Sequence, residues 1–251
     1  MKKINLIILL LVAVFYVNAQ EPDSILAKAN NFYVQGKYQD AANLYEKIIK
    51  SGYESSELYF NTANAYYKQN VIARAILNYE KALRLAPNDE DIRYNLDLTN
   101  RMVVDKIEVL PVFFITAWIN SFKNIFSSDN WAIVSMLSFI ISLIFISLYL
   151  YSRNFGLKKV SFWLGFIVLF ISLFSFVFSY QQKQKLLVSN TAIIMSPSVT
   201  VKSSPDASGT DLFVIHEGTK VWLGDKISGW TEIKLSDGSK GWLKVDDLEV
   251  I

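Results

Sequence analysis

The chain repeats itself with a period of 34 residues near its N-terminal end. When residues 25–50 are aligned with residues 59–84, eight positions carry the same residue in both segments. The matched pairs are Ala29/Ala63, Asn30/Asn64, Tyr33/Tyr67, Gln35/Gln69, Ala41/Ala75, Tyr45/Tyr79, Glu46/Glu80 and Lys47/Lys81. A self-match at this period is typical of helix–turn–helix units that bury their apolar faces by stacking on neighbours. Such units offer a concave surface and no chemistry of their own.

Small and aromatic residues in the repeat suit two helices that pack closely. Alanine recurs where paired helix axes must approach, and tyrosine recurs where the space between helices must be filled. Gly36 and Asn70 fall between the two helices of each unit, where a positive φ is often required. Pro87 follows the second unit, as expected just beyond a helix end. The pattern predicts two helical hairpins in tandem.

Two sets of residues resemble the tetratricopeptide (TPR) repeat. They are Ala63, Tyr66, Ala75, Tyr79, Ala82 and Pro87 in the second unit, and Ala29, Phe32, Gly36, Tyr38, Ala41 and Tyr45 in the first. The resemblance implies an all-α TPR domain over residues 22–105. Its repeats would span residues 22–55 and 56–89, and residues 89–91 would open a capping helix. An ordinary helical bundle is the alternative.

Composition excludes several classes of function. The 251 residues include no Cys and one His, so we expect no disulfide, thiol nucleophile or His-rich metal site. The net charge of +2 offers no basic field for nucleic acid. No phosphate-binding loop or hydrolase motif occurs in the sequence. We therefore predict a binding protein with no catalytic residues, no metal and no cofactor.

The first residues have the pattern of a secretory signal. Met1, Lys2 and Lys3 give a basic start, a mostly apolar run covers residues 4–17, and Ala19 supplies a small residue before Gln20. This pattern predicts a signal peptide over residues 1–19 that delivers the repeats across a membrane. An uncleaved anchor helix is the alternative, and it would deliver the repeats to the same side.

Two apolar runs predict a two-helix transmembrane hairpin. Residues 131–151 and 160–180 contain no charged residue, and each has the length that a bilayer's hydrocarbon core requires. Trp131 lies at the outer end of the first run, where aromatic rings favour the headgroup region. The intervening loop carries Arg153, Lys158 and Lys159 without an acid, which predicts a cytoplasmic loop. The segments that flank the hairpin would then lie on the periplasmic side of the inner membrane.

Residues 110–126 precede the first span and combine five large aromatic residues with Asn120 and Lys123. This mixture predicts an amphipathic helix that lies at the membrane surface. A helix packed against the repeats is the alternative.

Short β-branched runs separated by Gly, Pro, Ser and Asp follow residue 189. Six strands are predicted, at residues 192–195, 199–202, 212–216, 219–223, 230–235 and 240–245. Asp237 and Gly238 are residues that favour a hairpin turn, and they lie between the last two predicted strands. So many closely spaced short strands suit a small barrel.

Several turns of this region resemble the bacterial SH3 (SH3b) domain. The resemblance rests on the Glu-Gly-Thr turn at residues 217–219 and on the Gly-Trp pairs at 229–230 and 241–242. It implies an all-β SH3-like barrel over residues 189–251. Domains of this family often bind cell-wall peptides or protein segments.

Three tryptophans of the SH3-like region are candidate ligand-binding residues. Trp222 follows Val221 in an alternating strand, which favours an outward direction for the indole. Trp230 and Trp242 are either core material of a small domain or part of a peptide groove.

Six residues on the predicted first helices of the repeats are candidates for a partner-binding groove. They are Asn30, Tyr33, Asn61, Asn64, Tyr67 and Lys68. The asparagine amides could hydrogen-bond the backbone of an extended peptide. Leu26 and Phe60 stand where a TPR domain that clamps a terminal carboxylate would be expected to have Lys, so a partly apolar segment is the better fit. The alternative is that the asparagines only solvate the groove.

The order of these segments resembles the BatE-like TPR proteins of the Bacteroides aerotolerance (Bat) operon over nearly the full chain. The resemblance implies partners among von Willebrand A-domain Bat proteins and a MoxR-type ATPase system, and a role in oxidative-stress tolerance or envelope integrity. We expect a multidomain, membrane-anchored scaffold with two extracytoplasmic binding modules. A cell-wall (peptidoglycan) sensor is one alternative, and an enzyme with an unrecognised site is another.

Overall fold

The computed structural model describes residues 21–108, 113–188 and 190–251. The predicted signal peptide, residues 1–19, lies outside this part of the chain. The fold divides into two compact units. One joins the N-terminal helices to the C-terminal strands, and the other contains the residues between Pro111 and Ser189.

Five helices form the N-terminal part of the first unit. They are α1 (Glu21–Val34), α2 (Tyr38–Lys50), α3 (Ser56–Lys68), α4 (Ile72–Leu85) and α5 (Glu90–Asn100). The positive φ expected between paired helices is confirmed, at 76° for Gly36 and 61° for Asn70. In the first turn the N–H of Lys37 donates to the carbonyl oxygen of Phe32, and the second turn repeats this bond one period later. Both units therefore end their first helix in the same way.

The helical core includes the small residues that recur in the repeat. The four recurring alanines and one of the two recurring tyrosine pairs are buried, at 1% exposure or less: Ala29, Ala41, Ala63, Ala75, Tyr45 and Tyr79. The helix expected after Pro87 is α5, whose first N–H groups donate to the Asp89 carboxylate. Ile92 and Leu96 of α5 are buried and extend the core beyond the second unit.

Seven antiparallel strands form the rest of the first unit. They are β1 (Thr191–Ile194), β2 (Ser198–Lys202), β3 (Asp211–His216), β4 (Lys220–Ile227), β5 (Trp230–Lys234), β6 (Lys240–Lys244) and β7 (Leu248–Val250). Their order in the sheet is β3-β2-β6-β5-β4-β1-β7. The all-β module is confirmed, but the ladder is not closed as a barrel would be, because β3 and β7 lie at its two edges and do not pair with each other. The short strand β7 is an addition to the six predicted strands.

One face of the sheet forms its own core. The buried side chains alternate along the strands and are Ala192, Ile194, Val199, Val201, Ile215, Val221, Ile233, Leu235 and Leu243. Strand β1 is buried on both faces, because Ile193 points away from this core and joins the helical core together with Ile251. The sheet is thus packed onto the helices through β1 and the last residue of the chain.

The second unit contains α6 (Phe114–Lys123), α7 (Ser128–Tyr151) and α8 (Phe155–Leu187). Helices α7 and α8 are long and apolar enough to cross a membrane, as judged by length and composition. They contain the predicted segments 131–151 and 160–180. Helix α7 starts at Ser128 and α8 at Phe155, before those segments begin, and α8 also continues beyond its segment to Leu187.

A seam of small residues joins α7 to α8. Ser135 and Ser172 each donate a hydroxyl hydrogen bond of 2.9 Å to the other's backbone carbonyl. Ser128 and Ser179 make the same reciprocal pair one heptad away, at 3.1 and 2.9 Å. On the other side of the Ser135 pair, Gly165 lies so close to α7 that an added Cβ would be 3.1 Å from Phe145 Cβ. The two antiparallel helices therefore approach through side chains that are small and satisfy their own polar groups.

An aromatic cluster ties the region around α6 to the start of the hairpin. Trp131 is only 6% exposed, and its ring lies 5.1 Å from Phe126, 5.3 Å from Phe178 and 5.9 Å from Phe122. Its indole N–H donates to the carbonyl oxygen of Lys123 at 2.8 Å. The polar atom and the ring of Trp131 are therefore both engaged in contacts inside the protein, and its predicted position at the headgroup region stays a prediction.

Helix α6 is shorter than the predicted segment 110–126, and residues 109–112 lie outside the described part of the chain. Phe114 and Trp118 of α6 are 72% and 80% exposed, and Ile119 and Phe122 are about half exposed. So large an exposed apolar surface is unusual for a helix in water.

Candidate functional site

The six predicted groove residues lie on the first helices of the two repeat units. Asn30 and Tyr33 belong to α1, and Asn61, Asn64, Tyr67 and Lys68 belong to α3. Asn30 and Lys68 are exposed, whereas the other four are half-buried. The Tyr33 ring packs edge-on against Tyr38 at 5.3 Å.

The two asparagines make the same hydrogen bond in both units. The Tyr45 hydroxyl donates to Asn30 Oδ1 at 2.6 Å, and the Tyr79 hydroxyl donates to Asn64 Oδ1 at 2.5 Å. Each bond joins residues 15 positions apart and connects the second helix of a unit to the first. Because the amide oxygen is used, the orientation of the amide is set and its two N–H donors remain for another acceptor.

Burial keeps both tyrosines protonated. It raises the pKa of Tyr45 to about 12, with smaller contributions from Tyr33 and Glu57, and it raises the pKa of Tyr79 as well. Both hydroxyls are therefore donors at any physiological pH. The asparagine amides are therefore held in one orientation by hydroxyl groups that stay protonated throughout the physiological pH range.

The positions expected to exclude a carboxylate clamp are apolar and packed. Leu26 and Phe60 both lie against the helical core, and the Phe60 ring is 5.8 Å from that of Tyr79. Neither position supplies a cation to the surface of α1 or α3. This surface combines amide donors with aromatic and aliphatic walls.

Glu46 links the two repeat units. Its carboxylate accepts a short hydrogen bond from the Tyr66 hydroxyl and ion pairs from Arg74 at 3.1 Å and Lys50 at 3.4 Å. Burial by itself would raise the pKa of Glu46, but the Tyr66 hydrogen bond and the charges of Arg74 and Lys50 hold it below its usual value. An acid on α2 thus has one partner on its own helix and two on α3 and α4 of the next unit.

Glu80 stands one period after Glu46 and binds the sheet. Its carboxylate lies 2.6 Å from the ammonium of Lys220 at the start of β4. Glu46 is paired with Arg74 of the second unit, whereas Glu80 is paired with Lys220 of the sheet. The sheet therefore provides the cation that a following repeat would otherwise supply.

Asp105 makes a second polar link between helices and sheet. It follows α5 and accepts hydrogen bonds from the His216 N–H at 2.7 Å and the Thr219 hydroxyl at 2.6 Å, while its other oxygen lies 2.8 Å from His216 Nδ1. Burial would raise the pKa of Asp105, but the bonds from Thr219 and His216 outweigh it and lower the pKa. Asp105 is therefore charged in the folded protein at neutral pH.

The turn between β3 and β4 is pressed against the helices. Gly218 has a φ of 85°, and an added Cβ would lie 3.0 Å from Val103 Cγ2 and 3.2 Å from Ile76 Cδ1. Backbone conformation and space both require glycine here. Arg84 completes the contact by donating to the backbone oxygen of Ile251 at 2.6 Å, and Lys81 lies 3.5 Å from Glu249.

The three predicted tryptophans lie on the outer face of the sheet. The strand register pairs Trp222 with Lys234, Trp230 with Lys244, and Trp242 with both Glu232 and Lys202. These residues alternate with the buried ones, and none of the three tryptophans is among the described residues of the sheet core. Trp222 is 40% exposed, and the other two are half-buried. Of the two directions open for Trp230 and Trp242, the structure has the outward one.

Comparison with known protein families identifies the helical part. Residues 26–90 match the tetratricopeptide repeat family. This region is a TPR array. No curated protein matches the chain.

A cleft of about 480 Å³ lies where the TPR array meets the sheet. Glu80, Asp105, Lys220 and Trp222 are among its lining residues. Within the described ranges, no group of three or more His, Asp or Glu side chains is placed to hold a metal ion. Trp222 belongs to both this cleft and the outer face of the sheet.

The contact between the TPR array and the sheet was missed by sequence reasoning. Its apolar anchors, Ile193 and Ile251, look like ordinary strand residues, and its charged residues show no spacing of their own. One signal was available in the sequence: the recurrence of Glu46 as Glu80 implies that Glu80 also needs a cation.

Proposed function

We propose that this protein is a membrane-anchored scaffold of the bacterial envelope. In this proposal the TPR array binds a segment of a partner protein, and the sheet module binds a second ligand. The observation that carries it is the repeated Asn–Tyr pair, which presents equally oriented amide donors from two successive TPR units. Two ligands held on one anchored body would raise each other's effective concentration.

The surface of α1 and α3 fits a partly apolar partner segment. The amides of Asn30 and Asn64 would donate to backbone carbonyls, and Tyr33 and Tyr67 would contact side chains of the segment. The apolar residues at positions 26 and 60 argue against recognition of a free carboxylate. An extended peptide or one face of a helix therefore suits this surface best.

Helices α7 and α8 are the proposed membrane anchor. Two crossings return the chain to the side on which it started, and the Glu80–Lys220 and Asp105–His216 contacts need the TPR array and the sheet on one side. The basic loop and the signal sequence favour the periplasmic side of the inner membrane for both. The exposed apolar surface of α6 favours a position at the membrane interface.

The cellular role is proposed from the family resemblance. A Bat-type scaffold would assemble von Willebrand A-domain proteins and act with a MoxR-type ATPase system in aerotolerance, oxidative-stress tolerance or envelope integrity. Cell-wall peptide is the competing ligand for the sheet module.

The test is photo-crosslinking in intact cells that carry the full-length chain. A photo-reactive residue replaces Tyr67 on α3, and a control places it at Asn43, an exposed position on α2. The proposal expects one or a few membrane proteins to be captured from position 67 and not from position 43. Capture of lipid alone, or equal capture from both positions, would contradict it. Retention of the full-length protein on peptidoglycan sacculi would instead favour the cell-wall ligand.

A further inference from the structure

The outer face of the sheet concentrates lysine and tryptophan. The lysine–tryptophan face comprises Lys202 on β2, Lys240, Trp242 and Lys244 on β6, Trp230, Glu232 and Lys234 on β5, and Trp222 on β4. Directly opposed residues in antiparallel strands share a face, so the strand register places all eight side chains on one side. The other side of these strands is the buried core.

Charge is unevenly distributed in the sheet module. Residues 190–251 contain six lysines and nine acidic residues, so the module as a whole is negative. Four of those six lysines lie on the lysine–tryptophan face, and Glu232 is the one acid among its eight residues. Asp211 pairs with Lys202 at the edge of the face. The face is therefore a positive patch on a negative module, which is the pattern that selects an anionic partner.

Two of the lysines have no anionic partner among the residues that the structure describes. Lys240 lies 3.4 Å from Glu232, but Lys234 and Lys244 make no ion pair with any residue in the described ranges. Both are exposed, and each stands opposite a tryptophan, Lys234 opposite Trp222 and Lys244 opposite Trp230. Each lysine therefore presents an ammonium that is unpaired within this part of the chain, opposite an aromatic residue.

We propose that this face binds an acidic segment of a partner protein in an extended conformation. The inference rests on the proposed scaffold function and names the ligand class of its second module. Lys240 and Lys244 are four residues apart on one strand, which corresponds to about 13 Å. Carboxylates four residues apart in an extended peptide have the same spacing, and apolar side chains between them would contact the indoles.

The test uses the full-length protein in detergent and a short fluorescent peptide. The peptide carries Glu at every fourth position with apolar residues between, and a control peptide has Gln in place of each Glu. Fluorescence anisotropy measures binding at low and high salt. We expect binding of the Glu peptide alone and weaker binding as salt rises, since exposed charge pairs are screened.

Charge-reversal variants locate the site. Lys234→Glu combined with Lys244→Glu should weaken binding of the Glu peptide roughly tenfold or more, because two attractions become repulsions. Lys226→Glu makes the same change of charge in the same module, but Lys226 is paired with the buried Thr231 and lies off the face. This control should bind within about twofold of the wild type.

Several outcomes would overturn the proposal. They are equal binding of the Gln peptide, an equal loss in Lys226→Glu, and no binding of the Glu peptide. Lysine-dependent binding to anionic lipid vesicles or to sacculi, without binding to the peptide, would assign the face to another ligand. Lys234→Gln combined with Lys244→Gln removes the charge without reversing it and guards against misfolding of the first variant. A failed peptide test leaves the crosslink from position 67 unaffected, so the two proposals can fail separately.

Discussion

Glu80 Oε2 and Lys220 Nζ lie 2.6 Å apart and join residues that are 140 positions apart in the sequence. The pair repeats a contact within the TPR array, where Glu46 binds Arg74 of the next unit at 3.1 Å. The sheet thus serves as the last neighbour of the array and supplies both a cation and the apolar anchors Ile193 and Ile251. Terminal units of repeat proteins need such a cap, because their outer face would otherwise be exposed.

The Glu80–Lys220 pair should contribute measurably to stability. Glu80 is largely buried at its side chain, so we expect Lys220→Ala to cost about 1 kcal/mol by leaving that carboxylate unpaired. The check is the unfolding midpoint of the full-length protein in detergent. Lys240→Ala breaks the more exposed Lys240–Glu232 pair and should cost less than about 0.5 kcal/mol. Equal costs would contradict the expectation that the Glu80–Lys220 pair stabilises the protein more than an exposed ion pair does.

Ile193 should be the main apolar anchor of the sheet on the helices. It is fully buried in the helical core, so Ile193→Ala should destabilise the protein by about 2–5 kcal/mol. The measurement is chemical unfolding, together with proteolysis of the native protein to detect separation of the sheet from the TPR array. Val214→Ala is the control, since Val214 is 49% exposed on the edge strand β3. A cost for Ile193→Ala no larger than that of the control would contradict the packing described.

Alanine substitutions at Gly218 and Gly229 should separate the cost of steric overlap from the cost of backbone strain. Gly218 and Gly229 have nearly equal positive φ values, 85° and 83°, but only Gly218 has side-chain atoms near the position of a Cβ. Gly229→Ala should cost about 1 kcal/mol for the left-handed conformation alone. Gly218→Ala should cost about 1–3 kcal/mol more, because Val103 and Ile76 must move. Unfolding midpoints of the two variants decide this, and a zero difference would mean that the interface yields freely.

Asp105 should make the contact of the sheet with the helices sensitive to acid. Its pKa is lowered in the folded protein, so its contribution to stability is present above the unfolded value of about 3.9 and is lost as the pH falls through the lower folded value. At neutral pH, Asp105→Asn should destabilise the protein by about 1–3 kcal/mol. The difference between wild type and variant should shrink below about pH 4. A difference that stays constant with pH would rule out a role for the carboxylate charge.

The Tyr79 hydroxyl should support binding by the TPR array. Tyr79→Phe keeps the buried ring but removes the donor that holds the Asn64 amide. We expect crosslinking from position 67 to fall while the yield of folded protein is maintained. Tyr66→Phe is the matched control, because its hydroxyl binds Glu46 and not a predicted groove residue. An equal loss in both variants would indicate general destabilisation.

Local patterns predicted most of the helices and strands. The 34-residue period located the turns at Gly36 and Asn70, and the alternation of small β-branched runs located six of the seven strands. Strand β7 was not predicted because its three residues are too few to show an alternation of buried and exposed side chains. The direction of Trp230 was available in the sequence, since Glu232 and Lys234 share its face by strand alternation.

Contacts between distant segments could not be predicted in the same way. Lys220 and Asp105 are common charged residues, and neither has a periodic neighbour that marks it as part of an interface. The predicted groove residues came from repeat positions, but the Asn–Tyr bonds depend on the packing of α2 on α1 and of α4 on α3. The 34-residue period can be read from a single sequence, but the hydrogen-bond partner of each side chain cannot.

The position of the sheet at the far end of the chain affects the order of assembly. During synthesis the TPR helices emerge first, while Lys220, Ile193 and Ile251 arrive only after both long apolar helices have been made. Until then Ile76 and Val103 lack the turn at Gly218 that covers them in the finished protein. A chain without residues 190–251 would therefore expose this apolar end of the helices to proteases and chaperones, and the TPR array would be covered only once those residues have been made.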